Sequence, residues 1–217
     1  MPVWGIVVAG GEGSRFGAPK QFEALGPARP SLVDRAVATT ASACDRVVVV
    51  LPAGRGWDGP SVAAAVAGGE RRSDSVRAGL AAVADEADVI VVHDAARPLA
   101  SPALFRAVID AVRRGADGAV PALALADTVK RVEGMRVVET VPRDGLAAVQ
   151  TPQAFRAEML RRAHSTGTDA TDDAALVEAA GGAVVVVPGE RANLKVTTPA
   201  DLDLAAALLG TSEETTR

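Results

Sequence analysis

Tyrosine is absent from this 217-residue chain, and aromatic residues of all kinds make up 3% of it. That leaves no material for the stacked aromatic platforms that hold single-stranded nucleic acid. Basic residues are not in excess either: 23 Lys and Arg face 27 Asp and Glu, a formal charge of −4. A general polyanion or anionic-membrane binder is therefore not expected, and neither nucleic acid nor membrane is an expected partner. The single cysteine, Cys44, excludes an internal disulfide framework and a multi-cysteine zinc site. It precedes Asp45-Arg46 and a valine run, where a small buried thiol is the expected reading. No apolar run approaches the ~20 residues of a membrane span. The opening MPVWGIVVAGG lacks the basic segment of a secretory signal, so the cytoplasm is the expected compartment.

What is present describes an ordinary globular chain, 48% hydrophobic and 23% charged. At this length about 70% of the unfolded surface can be buried, enough for a core without staples. β-Branched apolar runs recur at Val3 to Val8, Val47 to Leu51, Val89 to Val92, Ala119 to Leu125 and Val184 to Val187. They are continuous rather than alternating, as in strands covered on both faces of a parallel sheet. Helical stripes lie between them: Val76, Leu80 and Val83 behind Ser73 as cap, and Leu104, Phe105, Val108, Ile109 and Val112 behind Ser101 and Pro102. Thr198-Pro199-Ala200-Asp201 opens a last helix. The alternation implies a three-layer α/β fold over residues 1–210 with a mostly parallel central sheet. Residues 211–217 (TSEETTR) read as a disordered tail.

Residues 127–141 (DTVKRVEGMRVVETV) interrupt the rhythm with two short strands around Glu133-Gly134-Met135. Either this is a plain edge hairpin or an arm, spanning about 127–145, that packs on another subunit; a lone two-stranded ribbon is marginal by itself.

In open parallel sheets ligands bind beyond the carboxyl ends of the strands. The first such loop runs Ala9-Gly10-Gly11-Glu12-Gly13-Ser14-Arg15-Phe16-Gly17-Ala18-Pro19-Lys20-Gln21. Its glycines free backbone amides to face an anion. Phe16 stands where the dinucleotide pattern G-x-G-x-x-G needs glycine, and the P-loop pattern fits nowhere. Glycines with two cations, Arg15 and Lys20, on one long loop read as a triphosphate cradle. Lysine is scarce, three against twenty arginines, so Lys20 in this loop suits a compact ammonium; a solvated surface lysine is the plain alternative.

The run ending in His93-Asp94-Ala95-Ala96-Arg97-Pro98 delivers Asp94 to the same rim. Mg²⁺ takes one or two carboxylates plus phosphate oxygens, so Asp94 is the candidate metal ligand, against a simple turn role. Arg97 has the fork for a second phosphate, and His93 packs or orients Asp94. Gly68-Gly69-Glu70-Arg71-Arg72-Ser73-Asp74-Ser75 is a second glycine loop suited to a base or ribose, or merely a capped helix start. Thr171-Asp172-Asp173 reads as a helix start, and Asn193-Leu194-Lys195 brings Lys195 to the rim. His164, beside Arg161 and Arg162, is expected at the surface.

The segments AGGEGSRFGAPKQ, GGERRSDSV, VHDAARP, DTVKR, TPQAF and NLKVT, in that order, resemble the 2-C-methyl-D-erythritol 4-phosphate cytidylyltransferases of the non-mevalonate isoprenoid pathway. The likeness runs from Ala9 to about Leu209. It implies a Rossmann-like nucleotidyltransferase domain with a protruding β-hairpin arm, dimeric through that arm, that moves CMP from CTP to a polyol phosphate with Mg²⁺. By this resemblance Arg15, Lys20 and Lys195 are catalytic. Ala9, Gly10, Gly11, Gly13, Gly69, Ser75 and Asp94 hold the nucleotide, Asp94 also the metal. Arg97, Thr128, Arg143, Thr151 and Thr171 serve the polyol phosphate, with Thr128 and Arg143 coming from the partner's arm. Glu70 stands where the family often has an aspartate, and Pro142 and Ala192 stand where it often has an acid. A ribitol 5-phosphate or other polyol-phosphate cytidylyltransferase, a purine nucleotidyltransferase and a non-catalytic nucleotide-binding module are the alternatives.

The chemistry agrees from below. CTP carries about four negative charges and a phosphomonoester nearly two, so the nucleophile is already an oxyanion. Such a transfer needs positioning and charge neutralisation rather than a Ser, Cys or His nucleophile.

Overall fold

A computed structural model describes residues 1–11, 16, 19–26 and 29–214. Among these residues ten strands and six α-helices alternate. The order is β1 (Val3–Val8), α1 (Leu32–Ala41), β2 (Arg46–Leu51), β3 (Ala64–Ala67), α2 (Arg72–Ala81) and β4 (Val89–Asp94). Then come α3 (Pro102–Arg113), β5 (Gly118–Ala124), β6 (Val129–Glu133), β7 (Arg136–Val141), β8 (Ala147–Val149) and β9 (Gln153–Arg156). The chain closes with α4 (Ala157–His164), α5 (Asp173–Ala179), β10 (Val184–Pro188) and α6 (Pro199–Glu214).

The main sheet has the order β10-β5-β9-β4-β1-β2-β3, with β8 alongside β5. β1 pairs in parallel with β2 and β4, β2 with β3, and β5 with β10. β9 runs antiparallel between β4 and β5, and β8 antiparallel to β5. The expected parallel core is therefore present, with two antiparallel strands of three and four residues that no long β-branched run announces. β3 (Ala-Ala-Val-Ala) is likewise silent, because alanine carries no strand signal.

The apolar runs are continuous because neighbours in one strand face opposite layers. Ile6, Val48, Val50, Ile90 and Val92 bury against Val76, Leu80, Leu160 and Val177 of α2, α4 and α5. Val7, Val47 and Val49 meet Val33 and Val37 of α1, and Val89 and Val91 meet Leu104, Phe105 and Val108 of α3. Cys44 is buried, and that burial pushes its thiol up to about 12, so it is an inert packing residue. β10 is the exception to two-sided burial. It is an edge strand, and Val185 and Val186 face solvent despite its all-valine run.

Ser101 caps α3 by accepting the Leu104 N–H, with Pro102 following it. Asp201 accepts the Thr197 and Thr198 N–H groups at 2.8 Å and opens α6. That helix continues to Glu214, so the segment expected to be a tail from residue 211 is helical through its first four positions. α2 is capped differently from expectation. Its N-cap is Arg71, whose N–H reaches Asp74, while Ser73 is buried in the first turn and donates to Asp169 at 2.6 Å.

β6 and β7 form a separate two-stranded sheet rather than an extension of the main one. Gly134 turns between them at φ 58°, a left-handed conformation that suits glycine. Arg131 and Glu139 bridge the strands at 2.7 Å. Val132, Met135, Val137 and Val138 stay exposed, so the apolar residues of the arm are uncovered within one chain.

Candidate active site

β1 is the strand where the order of winding reverses. The chain leaves it through α1 toward β2 and β3, then returns through α2 on the opposite layer to β4 on its other side. In such sheets the crevice beyond the carboxyl ends at the reversal is the ligand site. Register makes the rim level: Val8 pairs with both Val50 and Asp94. A cleft of about 660 Å³ opens there, between the loop after β1, the turn bearing Lys20, Gly68 to Arg72, and Asp94 to Ala96, with Lys195 at its edge.

Two of its walls are glycine backbone. A side chain at Gly68 would place its Cβ 2.6 Å from the Ser75 Oγ, and one at Gly69 would lie 2.4 Å from the Asp74 Cβ. Neither has room, so the cleft wall here is glycine backbone. Ser75 is buried in α2 and its hydroxyl accepts the Gly69 N–H at 3.3 Å, which fixes the loop.

The cations converge on one carboxylate. Lys195 Nζ donates to Asp94 Oδ2 at 2.7 Å, and Arg72 Nε donates to Oδ1 at 3.1 Å. Arg72 also donates through Nη1 to Asp173 Oδ2 at 2.8 Å, and His164 Nε2 lies 3.0 Å from the other Asp173 oxygen. Burial alone raises the Asp94 pKa, but Arg72 and then Lys195 outweigh it and hold the carboxyl well below the usual range. Asp173 is held low in the same way, by Arg72 and His164 against burial. Arg72 is itself made more basic by the two carboxylates, against the effect of burial. His164 is thus a buried partner of Asp173 and not the surface residue expected, because the N-terminus of α5 folds over the end of α4.

His93 is wholly buried, edge-on to Phe105 at 5.0 Å. Its Nε2 lies 3.1 Å from the Arg97 carbonyl, which only accepts, so Nε2 carries the hydrogen and Nδ1 is bare. The Thr151 hydroxyl, 3.1 Å from Nδ1, donates there and accepts the Asp94 N–H at 3.0 Å. His93 therefore orients Asp94 through Thr151. Burial, its largest influence, pushes the imidazole down to about 4.

This has a stability consequence. Between about 6.5 and 4 the unfolded imidazole binds a proton that the folded one refuses, so stability falls as pH drops through that window, by roughly 3 kcal/mol in all. The depressed carboxylates act in a separate window. Their stabilisation is complete above about 4 and is lost only as pH falls further. Urea midpoints at pH 7, 6, 5 and 4 check this: a steady decline is expected, and a flat profile from 7 to 5 would show that His93 is protonated in the fold.

Of the residues expected in the site, Ala9, Gly10, Gly11, Lys20, Gly69, Ser75, Asp94 and Lys195 line this cleft. Gly13 and Arg15 lie outside the described residues. Arg97 stands behind the Asp94 loop and donates to the Asn193 carbonyl at 2.8 Å. Thr151 is buried against His93, and Thr171 is exposed just before Asp172, the N-cap of α5. Thr128 and Arg143 are exposed on the arm and do not line their own chain's cleft; Arg143 donates to the Ala126 carbonyl beside it. Sequence reasoning missed Arg72 and Gln21, although both lie inside segments it singled out. Asn193 and Gln150 were also missed as a buried pair that ties the Lys195 loop down, Asn193 Nδ2 reaching the Thr151 carbonyl at 2.9 Å.

A doubly wound sheet whose reversal point carries glycine walls, two lysines and an ionised aspartate defines a nucleotide-handling α/β enzyme. Comparison with known proteins narrows it. Residues 3–211 match the family described as 2-C-methyl-D-erythritol 4-phosphate cytidylyltransferase, and the chain belongs to that family. The protein of that name from Rubrobacter xylanophilus is 45% identical over 96% of this chain and 95% of its own. That from Streptomyces coelicolor is 47% identical over 94% and 83%. The crystal structure of the Thermus thermophilus enzyme superposes with a TM-score of 0.82 at 35% identity, covering 96% of this chain and 98% of that one.

Proposed function

We propose that the protein transfers the cytidylyl group of CTP to 2-C-methyl-D-erythritol 4-phosphate, giving 4-diphosphocytidyl-2-C-methyl-D-erythritol and pyrophosphate. The observation that carries this is the convergence of Lys20, Lys195 and Asp94 on one glycine-walled cleft at the rim of β1 and β4. A phosphate oxygen of the polyol phosphate attacks the α-phosphorus as the bond to pyrophosphate breaks on the opposite side. Lys20, with Arg15 on the same loop, meets the charge that builds on the phosphates. Gly69 and Ser75 face the base, and Gly10 and Gly11 offer backbone to the phosphates. Lys195 and Arg97 serve the polyol phosphate, with Thr151 and Thr171 on the same side.

Asp94 fits a single-carboxylate Mg²⁺ site. It is ionised, it lines the cleft, and each oxygen keeps a lone pair beyond its present cation. Held by Asp94, Mg²⁺ would supply neutralisation of phosphate charge. Among the described residues no group of three potential ligands gathers, so Asp94 would be the side chain that holds the ion.

The arm supports a homodimer. Its exposed valines and Met135 need cover, and its Arg143 and Thr128 do not line their own cleft. They serve the partner's polyol-phosphate pocket in this reading. No helix among the described residues is long and apolar enough to cross a membrane, which suits the cytoplasmic setting we assign.

Pyrophosphate release with CTP and Mg²⁺ against a panel of polyol phosphates tests the reaction. Turnover with 2-C-methyl-D-erythritol 4-phosphate is expected. Turnover only with ribitol 5-phosphate, or only with GTP, would reject it, and none with any pair would leave a binding module. The dimer has its own test. Mixed Arg143→Ala and Lys20→Ala chains form heterodimers with one intact site, so random re-association should restore about a quarter of wild-type activity. Mixed dimers that stay inactive would mean that the arm serves its own chain.

A further inference from the structure

Lys20, Gln21 and Phe22 form a single 3-10 turn. With three residues per turn, consecutive side chains leave it in directions about 120° apart. Lys20 lines the cleft. Phe22 packs toward the α1 layer and lies under the Arg55 guanidinium, 3.4 Å from its ring centre. Gln21 points to the end of β1 and is 4% exposed.

There its carboxamide nitrogen donates to the Ala9 carbonyl at 2.7 Å and to the Gly11 carbonyl at 2.8 Å. Both hydrogens of the amide are thereby used. A trans peptide sets N–H opposite C=O, so fixing the Ala9 carbonyl also fixes the direction of the Gly10 N–H on the cleft wall. One buried side chain thus joins the glycine backbone to the turn that carries the lysine.

We infer that Gln21 is a positioning residue that holds the Lys20 ammonium at a set distance from the β1 loop. Gln21 borders the cleft beside Lys20, but both its amide hydrogens are committed to backbone carbonyls, so it acts through Lys20. The inference rests on the proposed reaction, where Lys20 acts mainly in the transition state. A small displacement of such a group is felt steeply, up to about 10²-fold for ~1 Å.

Gln21→Met keeps the length of the side chain and removes both donors. Its kcat is expected to fall about 10- to 100-fold while the CTP dissociation constant stays within about 3-fold. The deciding measurement is a double-mutant cycle with Lys20→Ala. In that background Gln21→Met should change kcat by less than about 2-fold, since the group it positions is gone. Equal losses in both backgrounds would overturn the inference and make Gln21 a general structural residue. So would a Gln21→Met enzyme within about 3-fold of wild type in kcat.

Urea unfolding of each variant is measured alongside. Should Gln21→Met fail to fold, Gln21→Glu carries the same cycle: it keeps the shape but turns an acceptor toward two carbonyls. A wild-type protein that releases no pyrophosphate with any substrate pair would refute the reaction itself. A wild-type enzyme that turns over beside an unaffected or additive Gln21 variant refutes only the positioning role.

Discussion

Lys20→Ala is expected to lower kcat roughly 10²–10³-fold, the scale of one lost electrostatic contact in a closed site, while CTP still binds. The turn holding Lys20 is anchored by Gln21 and Phe22, so the backbone that carries the lysine is held in place. In the proposed reading the glycine walls and Ser75 still hold CTP in the variant, so binding should suffer less than turnover. Steady-state kinetics with isothermal titration of CTP separates the two. A normal kcat, or a loss entirely in CTP affinity, would assign Lys20 to ground-state binding.

Arg72→Met is expected to destabilise the fold more than any other substitution in the cleft. Arg72 is the shared partner of Asp94 and Asp173, whose side chains are 12% and 1% exposed. Its removal leaves two carboxylates under-compensated inside the protein. Breaking a buried pair from one side costs about 3–5 kcal/mol, and here Lys195 and His164 offset part of it. A urea midpoint about 1–2 M below wild type is the expected result. Catalysis should fall as well, because Asp94 then answers to Lys195 alone. Arg72→Lys should sit between the two, since an ammonium lacks the planar fork that spans both carboxylates. An unchanged midpoint for Arg72→Met would mean that the bridge contributes nothing to the fold.

The central strands were legible because their residues are both apolar and β-branched. β1 falls on Val3–Val8, as the run predicts, and β2, β4, β5 and β10 differ by one or two residues at their ends. β3 and β9 were hidden for opposite reasons. β3 is nearly all alanine, whereas β9 (Gln-Ala-Phe-Arg) owes its place to Phe155, which fills the layer between β4 and α4 only once the sheet exists. In the site, loop glycines, Lys20, Lys195 and Asp94 were legible because special backbone and charge at strand ends are local signals. Arg72 and His164 were not. Their meaning comes from Asp173 and Asp94, partners that only the crossover connections bring near. A histidine beside two arginines looks solvated until the next helix folds over it.

The level ending of β1, β2 and β4 sets a limit on how this chain can vary. Strand side chains alternate with a period of two, so inserting a single residue within β4 would carry Asp94 to the opposite layer and leave His93's place to a neighbour. Lengthening the surface connections has no such effect, since the strand ends stay in line. Length variation among descendants of this sequence should therefore gather in the loops and the arm, and the three strands beneath the cleft should keep their residue count.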